Sequence, residues 1–137
     1  MRIINKDKKA CESAKGFWFR NNAIRQSIYA GFLKDSKKIG YRIHIFFLWV
    51  RSVDIALERV ADRVKMGGHN VSEDVVRRRY DKGLSNFNSI YRALSDSWTI
   101  FDNSTSTPQI VAYEENGELT AFDSGLFSFI SENMELK

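Results

Sequence analysis

The chain has 137 residues, of which 43% are hydrophobic and 28% are charged. That composition supplies a core for one domain, or for part of a larger one. Lys and Arg number 21 against 17 Asp and Glu, and the formal charge of +4 suits an acidic small ligand without by itself indicating a nucleic-acid-binding protein.

Cysteine usage and hydropathy indicate the compartment in which we expect the protein. The single cysteine, Cys11, cannot form an intrachain disulfide, so we expect a cytoplasmic protein. The longest strongly apolar run, Ile43 to Val50, is too short to cross a bilayer, and we expect no membrane contact. His44 and His69 have no cysteine or carboxylate cluster around them at zinc spacing, so the sequence predicts no metal site.

The chain begins with a basic segment, residues 1–22, which we expect to be a poorly ordered arm preceding a domain at 23–137. Helical periodicity runs from Ala23 to Lys38, and Gly40 ends that helix. Tyr41 to Val50 then has almost no polar face, which is typical of a central strand covered on both sides in a parallel sheet.

Two helices follow this strand. Ser52 has the residue type and position of an N-cap for a helix that runs to about Met66 and ends at Gly67-Gly68. Its predicted buried side chains are Val53, Leu57, Val60, Ala61 and Val64. Ser72 is predicted to cap the second helix. The apolar stripe of that helix is Val76, Tyr80, Leu84, Phe87, Tyr91 and Leu94.

A strand, a hairpin and a helix complete the prediction. In order they are Ser97 to Phe101 with the loop Asp102-Asn103-Ser104, the hairpin strands Gln109 to Tyr113 and Glu118 to Phe122, and a helix from Leu126 to Met134. Asn116-Gly117 between the two hairpin strands is a strong signal for a type I′ turn.

Arginines are the first candidates for chemistry. Arg59 and Arg63 project from one face of the first helix of this pair, and Arg77, Arg78 and Arg79 lie on the second. The two sets converge if the helices pack antiparallel, and guanidinium groups bind phosphate oxygens bidentately. The alternative is that both sets are solvated faces paired with neighbouring carboxylates.

Polar residues at strand ends are the second candidate. Arg51-Ser52 and Asp102-Asn103 follow predicted strands and lie at the edge where ligands bind in open α/β sheets, with ordinary turn chemistry as the alternative. His69 follows the two glycines. It also has two interpretations, a contact to a phosphate or base and an exposed turn residue.

An ordered series of segments runs through the same region. It consists of Gly40 to Val50, Ser52-Val53, Ala56 to Val64, Gly67-Gly68-His69, Val76 to Tyr80, Leu84, Asn86-Phe87, Asp96-Ser97-Trp98 and Asp102-Asn103-Ser104. Over roughly Ala30 to Phe122 this series resembles the C-terminal half of the zeta-toxin-like P-loop kinases.

The resemblance implies a partial three-layer α/β P-loop kinase-like fold with parallel strands, a helical lid and a C-terminal β-hairpin. The best-known members of that family phosphorylate UDP-N-acetylglucosamine with ATP and Mg²⁺, acting as toxins, whereas many relatives have no established substrate. In the family, lid arginines contact the nucleotide phosphates. By matching motif, the phosphate-lid candidates are Arg63 and one of Arg78 or Arg79. Arg59, His69, Asp102 and Asn103 would then lie near the nucleotide.

The sequence also departs from the family pattern. It has no G-x-x-x-x-G-K-[ST] phosphate loop, and Asn21 to Gln26 stand where the family has its substrate segment. Phosphoryl transfer depends on those parts. We therefore expect this chain to be inactive alone, and its binding of ATP and Mg²⁺ to be weak or lost.

Several partners follow from these expectations. A separate chain carrying the phosphate loop would complete the kinase, and the family implies an antitoxin-like protein. A strand with an open apolar edge invites self-association, so we expect dimers or larger species. The rival interpretation is a non-catalytic binding module for a protein or a nucleic acid, with the basic arm and the arginine helix as its surface.

Overall fold

The computed structural model describes residues 26–135, and the side chains of residues 30–132. The predicted arm at 1–22 lies outside that range. The described chain is an α/β fold whose elements are α1 (Gln26–Lys38), β1 (His44–Trp49), α2 (Val53–Lys65), α3 (Glu73–Asn86), β2 (Ser97–Asp102), β3 (Gln109–Glu115), β4 (Glu118–Ala121) and α4 (Ser124–Glu135). Past Asn86, α3 continues through a π-helical turn at Phe87–Tyr91 and a last α-helical turn at Arg92–Leu94.

The four strands form one mixed sheet in the order β1-β2-β3-β4. β1 and β2 are parallel, joined by the α2–α3 crossover, and the other two pairings are antiparallel. The predicted parallel pairing is therefore confirmed. The prediction of a central strand covered on both faces is wrong for the described residues, because β1 lies at the sheet edge and Leu48 is 49% exposed.

One face of the sheet carries the core. The register places Ile45, Phe47 and Trp49 beside Trp98 and Ile100. Aromatic contacts then join this face to the helices: Phe47 stacks on Phe87 of the π-helical turn at 4.7 Å between ring centroids, and Trp98 stacks on Phe127 of α4 at 6.3 Å. The opposite face presents Phe46, Leu48 and Phe101, which are partly exposed.

The predicted stripe of α3 is confirmed at its buried positions. Val76 and Phe87 are buried, while Leu84, Tyr91 and Leu94 pack against the core as partly buried side chains. The π-helical turn at Phe87–Tyr91 was not foreseen. Apolar residues spaced three or four apart are compatible with either helix type, so periodicity gives no sign of the change.

Helix ends follow the predicted chemistry at three of four sites. Ser52 caps α2, its side chain accepting the Ile55 backbone N–H at 3.3 Å. Gly40 and Gly67 end α1 and α2 with φ of 91° and 85°, the left-handed conformation that glycine adopts without strain. Ser72 precedes α3 but makes no side-chain cap hydrogen bond.

Helix α2 is more exposed than predicted. None of its residues is buried, Ala61 is exposed and Val64 is 36% exposed. Its main neighbour is α3 rather than the sheet, so one stripe contacts a single helix. The expected burial of its valines, Leu57 and Ala61 in a core is therefore wrong.

The hairpin is as predicted. Asn116 and Gly117 have φ of 57° and 80°, the pair of positive values that a type I′ turn requires. They connect β3 to β4 with Glu115 opposite Glu118. No helix in the described range is both long and apolar enough to serve as a membrane span.

Candidate functional site

The two polar pairs predicted at strand ends meet in the structure. Because β1 and β2 are parallel and Trp49 is the register partner of Asp102, the residues after both strands share one edge. Arg51 Nε donates to Asp102 Oδ2 at 2.8 Å, and the Arg51 backbone N–H donates to Ser104 Oγ at 2.9 Å. We call Arg51, Asp102, Asn103 and Ser104 the carboxyl-edge site.

Asp102 is the buried centre of the carboxyl-edge site, with 6% exposure. Its Oδ1 accepts the Ser104 backbone N–H at 2.9 Å and the Ser104 hydroxyl at 2.5 Å. Burial acts to raise the pKa of Asp102, but the hydrogen bonds from Ser104 and Arg51 outweigh it and hold that pKa below its ordinary value. Asp102 is therefore an ionised carboxylate at neutral pH.

Ser104 was predicted only as part of a loop, yet it contacts both partners. A serine two residues after an aspartate is the usual spacing of an Asx-turn, and that signal was available in the sequence. Asn103 contributes through its backbone, since its N–H donates to the Trp49 carbonyl at 2.7 Å. Both interactions tie the ends of the two parallel strands together.

Helices α2 and α3 are attached to this same edge. Arg59 Nη2 donates to the Thr105 carbonyl at 3.0 Å, in the loop that follows β2. The Tyr80 hydroxyl donates to the Val50 carbonyl at 3.1 Å, at the end of β1. Since Arg79 precedes Tyr80 directly, the arginine-bearing turn of α3 lies beside the carboxyl edge.

Arg63 is positioned by the turn that ends α2. Gly67 N–H donates to Val64 O at 2.9 Å and Gly68 N–H donates to Arg63 O at 2.8 Å, the pair of bonds that defines a Schellman motif. A Cβ built on Gly68 would lie 2.6 Å from Arg63 Cγ. Glycine is therefore required there for the Arg63 stem to pass over the backbone.

His69 takes part through its carbonyl. Arg63 Nη2 donates to His69 O at 3.4 Å, while the His69 side chain is exposed. This geometry favours the turn-residue interpretation of His69. A direct role of its imidazole stays a prediction.

The three consecutive arginines of α3 have different surroundings. Arg77 is exposed and donates twice to Glu73 Oε1, at 2.8 Å and 2.6 Å, which fits the solvated-face alternative. That hydrogen bond to Glu73 raises the pKa of Arg77. Arg78 is exposed and Arg79 is partly buried. The packing of α2 on α3 brings the helices together, and convergence of all five arginines stays a prediction.

Two guanidinium nitrogens have no acceptor. Among the described side chains, Arg63 Nε and Arg79 Nε are buried and lack a hydrogen-bond partner. A buried donor without an acceptor costs on the order of 1–3 kcal/mol, and more when it is charged. Because both atoms are buried, an anion would supply their missing acceptors only if the two side chains turned toward it.

Mg²⁺, which the family resemblance implies, does not fit the described residues. Asp102 is the buried carboxylate at the carboxyl edge, and its two oxygens already accept three hydrogen bonds. In the described range no group of three His, Cys, Asp or Glu side chains is placed to hold a metal ion. No step through Mg²⁺ is therefore assigned to these residues.

A second carboxylate, partly buried and missed by the sequence interpretation, lies at the opposite end of the same strands. Asp96 accepts the Ile43 backbone N–H at 2.7 Å and pairs with Lys37 Nζ at 2.9 Å. Burial acts to raise the pKa of Asp96, and the bonds from Ile43 and Lys37 bring it below its ordinary value. This carboxylate holds α1 against the amino ends of β1 and β2.

Comparison with known proteins assigns the chain to no family. No family model and no solved structure matches the chain. A protein of Haemophilus influenzae described as uncharacterized is 40% identical over 48 residues. That match covers 35% of this chain and 34% of the relative, so the chain spans about a third of the length of the relative it matches.

Proposed function

We propose that residues 39–104 form the lid-bearing half of an ATP-dependent small-molecule kinase of the zeta-toxin type, within a partial three-layer P-loop kinase-like fold. The observation that carries the proposal is the pair of buried, acceptor-free guanidinium nitrogens on Arg63 and Arg79. Nucleotide phosphates suit such guanidinium groups, because their oxygens accept bidentate, charge-assisted hydrogen bonds.

The location of these arginines supports a nucleotide rather than an arbitrary anion. α2 and α3 are both attached to the carboxyl edge, through Arg59 and Tyr80. Ligands of open α/β sheets bind outside the carboxyl ends of parallel strands. A phosphate chain at this edge would lie between the strand ends and the two arginine helices.

The roles within the proposal differ by residue. Arg63 and Arg79 would contact phosphate oxygens and neutralise charge on a transferring phosphoryl group. Arg78, exposed on the same helix, is available to close over the nucleotide. Arg51 and Asp102 would set the shape of the edge, since each is already engaged with the other.

Phosphoryl transfer needs a phosphate loop with its lysine and a metal ion. The 137 residues contain no G-x-x-x-x-G-K-[ST] segment. We therefore expect these 137 residues to bind polyphosphate weakly and to leave ATP intact, with turnover requiring a phosphate loop that they do not contain. An incubation with ATP, Mg²⁺ and UDP-N-acetylglucosamine, followed by ³¹P NMR, should show no ADP.

The binding test uses pyrophosphate as probe and the arginine Nε–H NMR signals as readout. The signals of Arg63 and Arg79 should shift together and saturate, with a dissociation constant on the order of 1 mM or above. Arg63→Gln and Arg79→Gln should each weaken binding roughly tenfold, since each removes a charge-assisted hydrogen bond.

Arg77→Gln is the matched control, because Arg77 lies on the same helix but is paired with Glu73 at the surface. Its pyrophosphate affinity should equal that of the unmodified chain. Equal weakening by Arg77→Gln would mean non-specific charge attraction and would count against the lid assignment, as would an absence of any shift at roughly 20 mM probe.

A specific observation also favours a protein-binding function. Leu48 and Ile110, on the sheet face that does not carry the core, are 49% and 45% exposed, and Phe122 is 64% exposed. Clustered exposed apolar side chains are typical of protein contact surfaces, and β1 is an edge strand. A second copy of this chain is the first partner to test.

Light scattering over a range of protein concentrations tests this second candidate. The unmodified chain should form dimers or larger species, and Leu48→Glu should shift them to monomers. Glu118→Gln, at the exposed hairpin, is the control that should leave the association unchanged. If the unmodified chain stays monomeric at high concentration, this face does not bind a second copy of the chain.

A further inference from the structure

A cavity of about 280 Å³ lies at the amino ends of β1 and β2. Its lining residues are Arg42, Ile43, His44, Phe46, Ser97, Thr99 and Glu115. His44 and Ser97 begin the two strands, whereas Trp49 and Asp102 end them. At about 3.3 Å per residue the cavity lies roughly 17 Å from the carboxyl-edge site, so it is separate from the site of the proposed kinase function.

His44 organises the polar wall of this cavity. Its Nδ1 lies 2.5 Å from Ser97 Oγ and its Nε2 lies 3.2 Å from Thr99 Oγ1. In a neutral imidazole one ring nitrogen donates and the other accepts. One hydroxyl therefore keeps its own proton to donate, and the other keeps its lone pairs to accept, whichever tautomer is present. Ser97 and Thr99 are each 7% exposed.

Opposite charges stand on two sides of this wall. Ser97 is the register partner of His44 on one side and of Glu115 on the other, which places the Glu115 backbone about two strand spacings, roughly 10 Å, from β1. Arg42 precedes β1 and lines the cavity from the opposite side. A carboxylate accepts about four hydrogen bonds, so Glu115 can receive an ammonium beside the contacts it already makes.

We propose that this cavity binds a small amino-acid-like zwitterion. The ligand carboxylate pairs with Arg42 and its ammonium with Glu115. The hydroxyls of Ser97 and Thr99 take its remaining polar atoms. The ring of Phe46, tilted against His44 with centroids 4.4 Å apart, contacts its apolar part.

Other ligand classes fit the cavity less well. A polyanion would be repelled by Glu115, and a purely apolar ligand would dehydrate the buried Ser97 and Thr99 hydroxyls without replacing their hydrogen bonds. The volume is near the lower end of small-molecule sites, which start at roughly 300 Å³. A zwitterion of amino-acid size satisfies the charge and the volume together.

The test titrates the full chain with the twenty L-α-amino acids, β-alanine and γ-aminobutyrate. The readout is the NMR signals of the His44 ring and of the Ser97 and Thr99 amides. We expect at least one of these compounds to give saturable shifts. Its N-acetyl form, which lacks the ammonium, and its amide form, which lacks the carboxylate, should each bind roughly tenfold or more weakly.

Two variants test which residue pairs with each charge of the ligand. In Arg42→Gln the acid and amide forms of the ligand should bind equally, and in Glu115→Gln the free and N-acetylated forms should bind equally. Glu118→Gln is the control, because Glu118 is the cross-strand neighbour of Glu115 but does not line the cavity. Its affinity should match that of the unmodified chain.

Three outcomes would overturn the proposal. One is that no compound in the panel shifts these signals at about 10 mM, a concentration well above typical small-metabolite dissociation constants. Another is that the blocked forms bind as well as the free ligand, and the third is that Glu118→Gln weakens binding as much as Glu115→Gln. The blocked ligands decide the question even where a variant fails to fold.

Discussion

Replacing Asp102 with Asn should destabilise the fold measurably at neutral pH. The Asp102 carboxylate is 6% exposed and accepts hydrogen bonds from Arg51 Nε at 2.8 Å, Ser104 N at 2.9 Å and Ser104 Oγ at 2.5 Å. The amide keeps the shape of the carboxylate, but its NH₂ group must face one of these donors. The charge that strengthens all three bonds is also lost.

The magnitude follows from how exposed each partner is. Hydrogen bonds to a charged group contribute roughly 1.5–3 kcal/mol when buried. The Arg51 side chain is 61% exposed, so its share falls to roughly 0.5–1 kcal/mol. The Asn oxygen can still accept both Ser104 bonds, so each loses only its charge assistance, roughly 0.5–1 kcal/mol. Added to the loss at Arg51, this lowers the free energy of unfolding of Asp102→Asn by about 2 kcal/mol at pH 7.

The stability difference between the two proteins should depend on pH, which a packing defect would not produce. The pKa of Asp102 is lowered in the folded chain, so its stabilisation is complete above the unfolded pKa of roughly 3.9 and is lost as the pH falls through the folded value. The difference between the two proteins should therefore be constant from pH 7 to about pH 5 and should shrink below about pH 4.

Urea unfolding followed by tryptophan fluorescence measures this difference, because Trp49 and Trp98 are 6% and 1% exposed in the folded chain. Asp62→Asn is the control. Asp62 makes an exposed pair with Lys65 at 3.0 Å, and its loss should cost at most about 0.5 kcal/mol. A loss below about 0.5 kcal/mol for Asp102→Asn, or a difference that persists unchanged to pH 3, would refute the reasoning.

Further substitutions test the other structural arguments. Gly68→Ala should destabilise the chain by at least about 1 kcal/mol and move the Arg63 Nε–H NMR signal, since its Cβ would meet Arg63 Cγ at 2.6 Å; an unmoved signal would contradict this. Gly31→Ala, inside α1 with open space around its Cβ, should stabilise by roughly 0.5–1 kcal/mol in thermal unfolding, and a loss would show hidden crowding. Phe87→Ala should cost roughly 3–5 kcal/mol in urea unfolding because Phe87 is 1% exposed, and a cost below about 1 kcal/mol would exclude it from the core.

Local patterns in the sequence determined most of the secondary structure. The three-and-four spacing from Val76 to Leu94 predicted the buried stripe of α3, and Asn116-Gly117 predicted the hairpin turn that the structure contains. Gly40 and Gly67 marked the ends of α1 and α2. Each of these features depends on residues within one or two turns of each other, so a single sequence is sufficient to reveal it.

Parts of the candidate site were also visible in the sequence. Arg51 and Asp102 were each predicted at a strand end, and parallel pairing was enough to place them at one edge. Their direct ion pair was not predictable, because it joins residues 51 positions apart and depends on the register of β1 against β2. The same register brings His44 to Ser97, and no pattern of neighbouring residues in the sequence predicts that contact.

The order of the strands was decided by tertiary structure alone. The apolar run from Tyr41 to Val50 is compatible with a central strand or with an edge strand, because hydrophobicity records how much a segment avoids water and not which neighbour covers it. Likewise, the passage of Arg63 over Gly68 depends on how the chain leaves α2. The sequence determined the elements and their ends, whereas packing between distant segments determined the edges, the register and the surroundings of each arginine.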